Sequence, residues 1–377
     1  MVYLDNSATT RVSEKAAKKA LYMMTECFAN PSSLYDFGFK AELELKEAKR
    51  IISSSIGCRE GELYFTSGGT ESNNTAILGV ANANKRRGNK IVVSSYEHSS
   101  VMDSVKHLSE NGFEIVFVKP DKDGKIKSSD VAAAVDEKTI LVSVMLVNNE
   151  IGAINDIATI SAAARRKNNK VIVHCDAVQG FGKIPVNVGK LSADLLSITA
   201  HKIGGPKGVG ALFVKKGTKI SPIIFGGEQQ NRFRPGTENC AGIAAFSVAV
   251  DETIGFMAQT YSKVKELKNY LVEKLCEIDG IVINSGEDSL SYIVNFSTMC
   301  IKSETLMHFL EKKEIYVSSG SACAKGKKSH VLSALSLSDL AIDTAIRVSF
   351  SKDNTKQDID ALIEALKEGI STLQKLK

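Results

Sequence analysis

Short apolar runs recur through the first two thirds of this chain, with helical stretches between them, and that alternation constrains the fold more than any other feature. The runs lie at 62–66, 90–94, 113–118, 140–147, 171–175, 195–199 and 210–214. Several are near-continuous in Val, Ile and Leu, as in strands covered on both faces. Helical patterns separate many of them, most clearly at 70–85, 99–111, 128–134 and 156–167. Strands alternating with helices predict an α/β fold with a doubly wound, mostly parallel seven-stranded sheet. Beyond about residue 255 the texture changes. An amphipathic helix at 262–278 is followed by a strand at 292–297, a helix at 303–313 and a strand at 315–318. A Gly/Ser/Lys loop at 320–329, a strand at 345–349 and a closing helix at 356–375 complete the chain. At 377 residues two domains are expected. The large one covers 15–255, and a smaller α+β domain takes 1–14 and 256–377.

Composition narrows the function classes. The chain is 43% hydrophobic and 24% charged, as in ordinary water-soluble domains. A net charge of +5 with no arginine-rich arm argues against nucleic acid as a direct ligand. The opening Met1-Val2-Tyr3-Leu4-Asp5 has no basic region ahead of an apolar stretch, so no secretory leader is expected. No apolar run has the length of a membrane span. The seven cysteines are scattered, without a CxxC pair or zinc-like cluster, which suits free thiols in a reducing cytoplasm.

Polar residues gather just past the expected strands. They are Ser67-Gly68-Gly69-Thr70-Glu71, Tyr96-Glu97-His98, Asn148-Asn149-Glu150, Asp176-Ala177-Val178-Gln179 and Ala200-His201-Lys202. In an open α/β sheet the ligand crevice lies outside the carboxyl ends of the strands, so this edge is the candidate site. Each part has two readings on its own. Gly68-Gly69-Thr70 is either an anion cradle at a helix start or a glycine turn with a threonine cap. Lys202 and Asp176 are either a buried ion pair or the amine and carboxylate that hold an aldehyde cofactor with a pyridine ring. Cys323, with small residues before it and Lys325, Lys327 and Lys328 after it, is either an incidental loop cysteine or a thiol kept partly as thiolate. Arg347, in the apolar run Ala345-Ile346-Arg347-Val348-Ser349, either faces outward or clamps a carboxylate.

In sequence order these segments form a recognisable set. It comprises Tyr3 to Thr10, Phe65 to Asn74, Val147 to Gly152, His174 to Gln179, His201 to Gly208, Arg234 to Thr237, Ser318 to Cys323, and Ile346 to Ser349. On these the chain resembles, nearly end to end, the cysteine desulfurases of the class-V aminotransferase branch of fold-type I pyridoxal-phosphate (PLP) enzymes. The resemblance implies PLP as cofactor, with Lys202 as its Schiff-base lysine, Asp176 at the ring nitrogen and His98 stacked on the ring and shuttling protons. It implies ring-hydroxyl contacts from Gln179 and Asn149, and phosphate contacts from Gly69, Thr70, Thr199 and His201. Thr237 would reach the phosphate of a second subunit, which implies a homodimer. Asn149 and Arg347 would hold the substrate carboxylate, and Cys323 would take sulfur from L-cysteine as a persulfide, leaving L-alanine. The sulfur then passes to an acceptor protein, an iron–sulfur scaffold or a thio-cofactor or tRNA-thiolation enzyme. No resident metal is implied; Cys323 would share an iron–sulfur cluster with a scaffold only in transit. The rival readings are a selenocysteine lyase, another class-V aminotransferase, or a silent relay subunit. This chain departs from the family at Tyr35, where relatives commonly carry histidine, and in a shorter, lysine-rich stretch after Cys323.

Overall fold

The computed structural model describes residues 1–319 and 328–376. Its described strands are β1 (Val2–Tyr3), β2 (Leu63–Thr66), β3 (Lys90–Ser94), β4 (Glu114–Val118), β5 (Thr139–Ser143), β6 (Ile172–Asp176), β7 (Leu195–Thr199), β8 (Gly210–Val214), β9 (Val282–Ile283), β10 (Ile293–Ser297), β11 (Ile315–Tyr316) and β12 (Ala345–Ser349). Seven of them form one sheet in the order β2-β8-β7-β6-β5-β3-β4. Pairing is parallel from β7 across to β4, whereas β8 runs antiparallel to both β2 and β7. The near-continuous apolar strands are the central ones: every residue of β5, β6, β7 and β8 is buried, while β4 at the edge is partly exposed. Full burial on both faces is why these strands lack alternation.

After β4 the chain crosses back and inserts β5 on the other side of β3. Strand order reverses there, which opens a crevice at the carboxyl ends of β3 and β5 beside β6. The second sheet, β12-β10-β9, is antiparallel. The N-terminus belongs with this part of the chain, since β1 pairs with β11 and Asp5 bridges to Ser349. Among the described residues no single helix is long and apolar enough to cross a membrane.

Helices Glu14–Thr25 and Asp36–Ile56, like Cys240–Gly255 further on, have no counterpart in the sequence reading. The first two bury Ala16, Met23, Ala41, Leu45, Ile52 and Ile56 but expose Leu21, Met24, Phe39 and Leu43 on the other side. Apolar residues on both faces blur the 3.6-residue period by which a surface helix is recognised. The expected strand at 140–147 is shorter, ending at Ser143, and the helix placed at 262–278 begins earlier and spans Met257–Cys276.

Candidate active site

The crevice holds a cavity of about 270 Å³. Lys202, His98, Gly69, Thr70, Asn149, Asp176, Gln179, Thr199, His201 and Arg347 all line it. Thr237 does not; it is exposed, on the segment before helix Cys240–Gly255. Cys323 lies outside the described residues. Ser7, Ala8, Asn73, Ser100, Met145 and Val178 complete the lining; the sequence reading gave none of them a role, nor Asp5, which pairs with Arg347 behind it.

The anion cradle is formed where β2 turns into helix Gly69–Asn84. Gly68 is the N-cap, at φ 150°, and no side chain caps this end. The threonine-cap reading therefore falls away: Thr70 is inside the helix and the first-turn amides are left for a ligand. Glycine is required in the adjacent strand, because a Cβ on Gly210 would stand 2.8 Å from Gly68 Cα and 2.7 Å from Ile198 O. Arg234 grips the same helix start through Glu71, with Nε and Nη2 at 2.8 and 3.2 Å from its carboxylate oxygens.

Asp176 ends β6 and is 4% exposed. Its Oδ2 accepts from Asn73 Nδ2 at 2.7 Å and its Oδ1 from Val178 N–H at 3.0 Å. Lys202 follows β7, and its Nζ donates to the carbonyls of Ser7 and, at 2.7 Å, Ala8. His98 caps helix Ser99–Glu110 by accepting Ser100 N–H at Nδ1, 3.1 Å, so the neutral ring carries its proton on Nε2. Burial holds the His98 pKa below its usual value, against the pull of Asp176. His201 is pushed down to about 4, first by burial and then by Lys202 and Lys207. As a neutral ring it shares a hydrogen bond at Nδ1 with Thr9 Oγ1, 3.2 Å away, and leaves Nε2 for a further partner.

Arg347 faces inward and is 2% exposed. Nη2 bonds Asp5 Oδ1 at 2.7 Å and Nη1 bonds Asn149 O at 2.9 Å, while Nε is buried with no partner among the described residues. The fork is therefore held in place with donor capacity remaining, as a carboxylate clamp needs.

Beside His98, Glu97 is wholly buried; Ser94 Oγ and Met145 N–H donate to Oε1, and Oε2 has no partner among the described residues. Burial pushes its carboxyl up to about 8 from an ordinary 4.5. A folded-state pKa above the unfolded one gives stability that is complete below the unfolded value and lost as pH rises through the folded value. Glu97→Gln retains an acceptor for Met145 and cannot ionise. The variant is expected to gain on the wild type by about 1.4 kcal/mol per pH unit across that window. Urea unfolding from pH 5 to 8 measures this; parallel pH profiles would contradict it.

A primary amine, a buried carboxylate and an uncapped helix start around one cavity, at the carboxyl edge of a seven-stranded, mostly parallel sheet, define a fold-type I transferase. The aminotransferase class-V model matches residues 2–362. A relative from Methanosarcina thermophila named cysteine desulfurase IscS is 38% identical, with 100% of this chain and 93% of its own length covered. One of the same name from Dictyoglomus turgidum is 39% identical over 99% and 95%. A solved structure described as a NifS-like protein superposes with a TM-score of 0.94 at 34% identity, covering 99% of this chain and 100% of that one. Another, described as SspA in complex with cysteine, has a TM-score of 0.84 at 30% identity, covering 94% and 100%. The chain belongs to the class-V aminotransferase family, within its cysteine desulfurases.

That family implies PLP, and the residues present fit it. Asn73 and Val178 fix Asp176 as a buried acceptor, which would face a protonated ring nitrogen. Lys202 would offer a primary amine to the aldehyde, and the uncapped helix start, Thr199 and His201 would hold the phosphate.

Proposed function

We propose that this protein binds PLP in the described cavity and converts L-cysteine to L-alanine, placing the sulfur on Cys323 as a persulfide for transfer to an acceptor protein. The observation that carries the reading is the meeting of Asp176 from the end of β6, Lys202 from just past β7 and Arg347 from the middle of β12 in one cavity.

Bound PLP supplies an electron sink for negative charge at the substrate α-carbon. Asp176 keeps the ring-nitrogen proton in place. Gly69, Thr70, Thr199 and His201 hold the phosphate, Gln179 and Asn149 the ring hydroxyl, and His98 the ring face. Lys202 Nζ anchors the aldehyde carbon and moves the proton at the substrate α-carbon. Arg347, steadied by Asp5, orients the substrate carboxylate, with Asn149 beside it. Cys323 as thiolate attacks the substrate sulfur. An S–S bond forms, the C–S bond breaks with its electron pair on carbon, and that carbon takes a proton to become the methyl group of alanine. Cys323 and L-cysteine thus give the Cys323 persulfide and L-alanine, and thiol exchange carries the sulfur onward.

The working unit is a homodimer. Thr237 is exposed and outside its own cavity, as a residue lent to a second subunit would be. The large apolar side chains of Leu21, Met24, Phe28, Leu34, Phe39 and Phe225 lie exposed on a single chain, surface that a second subunit would cover. The sulfur acceptor is an iron–sulfur scaffold or a tRNA-thiolation enzyme, the compartment is the cytoplasm, and the domains are 15–255 and 1–14 with 256–377.

Cys323→Ser tests the sulfur step. The variant is expected to bind PLP with the wild-type visible band and to release no sulfide from L-cysteine in the presence of a reductant. Sulfide release at the wild-type rate would remove Cys323 from the mechanism.

A further inference from the structure

Lys183 lies four residues beyond Gln179, in the turns that follow β6, and is 5% exposed. Its Nζ donates to Gln179 Oε1 at 3.0 Å and sits 5.7 Å from the centre of the Tyr292 ring. No salt bridge joins it to a carboxylate among the described residues. The charges that act on it are both positive, Lys202 after β7 and Arg347 on β12. Burial pushes the Tyr292 phenol up, so that neighbour stays neutral. A buried amine among cations is costly, and an apolar side chain would fill the same space more stably.

Its contact leads directly to the site. With Oε1 held by Lys183, the Gln179 amide turns Nε2 to the Ser7 carbonyl at 2.9 Å. The same carbonyl takes Lys202 Nζ, which also bonds Ala8 O. Two residues before Ser7, Asp5 holds Arg347. One buried chain of hydrogen bonds thus runs from Lys183 through Gln179 to the backbone on which Lys202 rests.

We propose that Lys183 is a positioning residue for this site: it orients Gln179 so that the amide supports the Ser7 carbonyl under the Lys202 amine, and it places positive charge behind that amine. The proposal deepens the desulfurase reading and rests on it for its catalytic consequence. Burial, then Lys202 and Arg347, bring the titration of Lys183 itself down to about 7, so this charge is withdrawn as the solution turns alkaline.

Lys183→Met keeps most of the volume and removes the donor and the charge. In the PLP-loaded enzyme kcat for alanine formation is expected to fall roughly tenfold, with a smaller change in KM because Arg347 is untouched. The pH midpoint of the cofactor's visible band is expected to rise by about one unit, since a nearby like charge disfavours the protonated form. A second measurement uses the cofactor-free full chain. Lys183 has a folded pKa below its unfolded 10.5, so wild-type stability grows as pH rises from about 7 towards 10.5 and is lost as pH falls. The wild-type unfolding constant should fall by up to about tenfold per pH unit relative to Lys183→Met in that window. Should Lys183→Met not fold, Lys183→Gln is read in the same way. Unchanged kcat and band midpoint, or parallel unfolding profiles, would overturn the proposal. If the wild type made no alanine, the functional reading would fail while the unfolding comparison still tested the buried charge.

Discussion

Lys202→Ala is expected to lower alanine formation from L-cysteine by roughly 10³-fold or more, the scale of losing a covalent anchor and a general base together. Lys202 Nζ is placed over the cavity by two carbonyl contacts, to Ser7 and Ala8. Ser7 O keeps its bond from Gln179 Nε2 when the amine is removed, and the side chain is only partly buried. The variant should therefore fold with a melting temperature near that of the wild type. It should still take up PLP through the helix start and Asp176, but the cofactor should be removable by dialysis and retain the spectrum of a free aldehyde. Turnover above a tenth of wild type would contradict the assignment.

Asp176→Asn is expected to separate charge from shape. The substituted Oδ1 can still accept Val178 N–H. The other position becomes a donor facing Asn73 Nδ2. Asn73 Oδ1 is buried with no partner among the described residues, so a flip of the Asn73 amide supplies an acceptor there. The flipped oxygen can also accept the Ser100 hydroxyl in place of the present bond from Nδ2 to Ser100 Oγ. The fold should therefore survive. What is lost is the negative charge opposite the ring nitrogen. Breaking one side of a buried charge pair costs about 3–5 kcal/mol, which in the transition state corresponds to roughly 10²–10⁴ in kcat. The assay is alanine formation at saturating L-cysteine beside a thermal melt. A variant within a few-fold of wild-type kcat would show that Asp176 is structural only.

How much of this was readable before folding depends on distance along the chain. The sheet was legible because burial on both faces writes itself into β5 to β8 as near-continuous apolar runs. The site edge was legible because Asp176, His98 and Lys202 interrupt or closely follow such runs, where an unpaired charge is expensive. The pairing of these groups was not. Arg347 meets Asp5 across 342 positions and Asn73 meets Asp176 across 103. A local pattern carries no signal for such contacts, so Asp5 and Asn73 entered only as parts of longer motifs with no role of their own, and Ser100 passed unnoticed. Lys183 was hidden differently, as one lysine in a turn segment whose burial follows only from packing against Tyr292. Cys323 was singled out from the family motif and its flanking lysines, and its assignment rests on those.

The most direct test of the central claim is product analysis with PLP-loaded wild type, L-cysteine and a thiol reductant. L-alanine and sulfide should form in a one-to-one ratio over many turnovers, with neither formed by Lys202→Ala. Pyruvate and ammonia in place of alanine, or no consumption of L-cysteine by the loaded enzyme, would contradict the account.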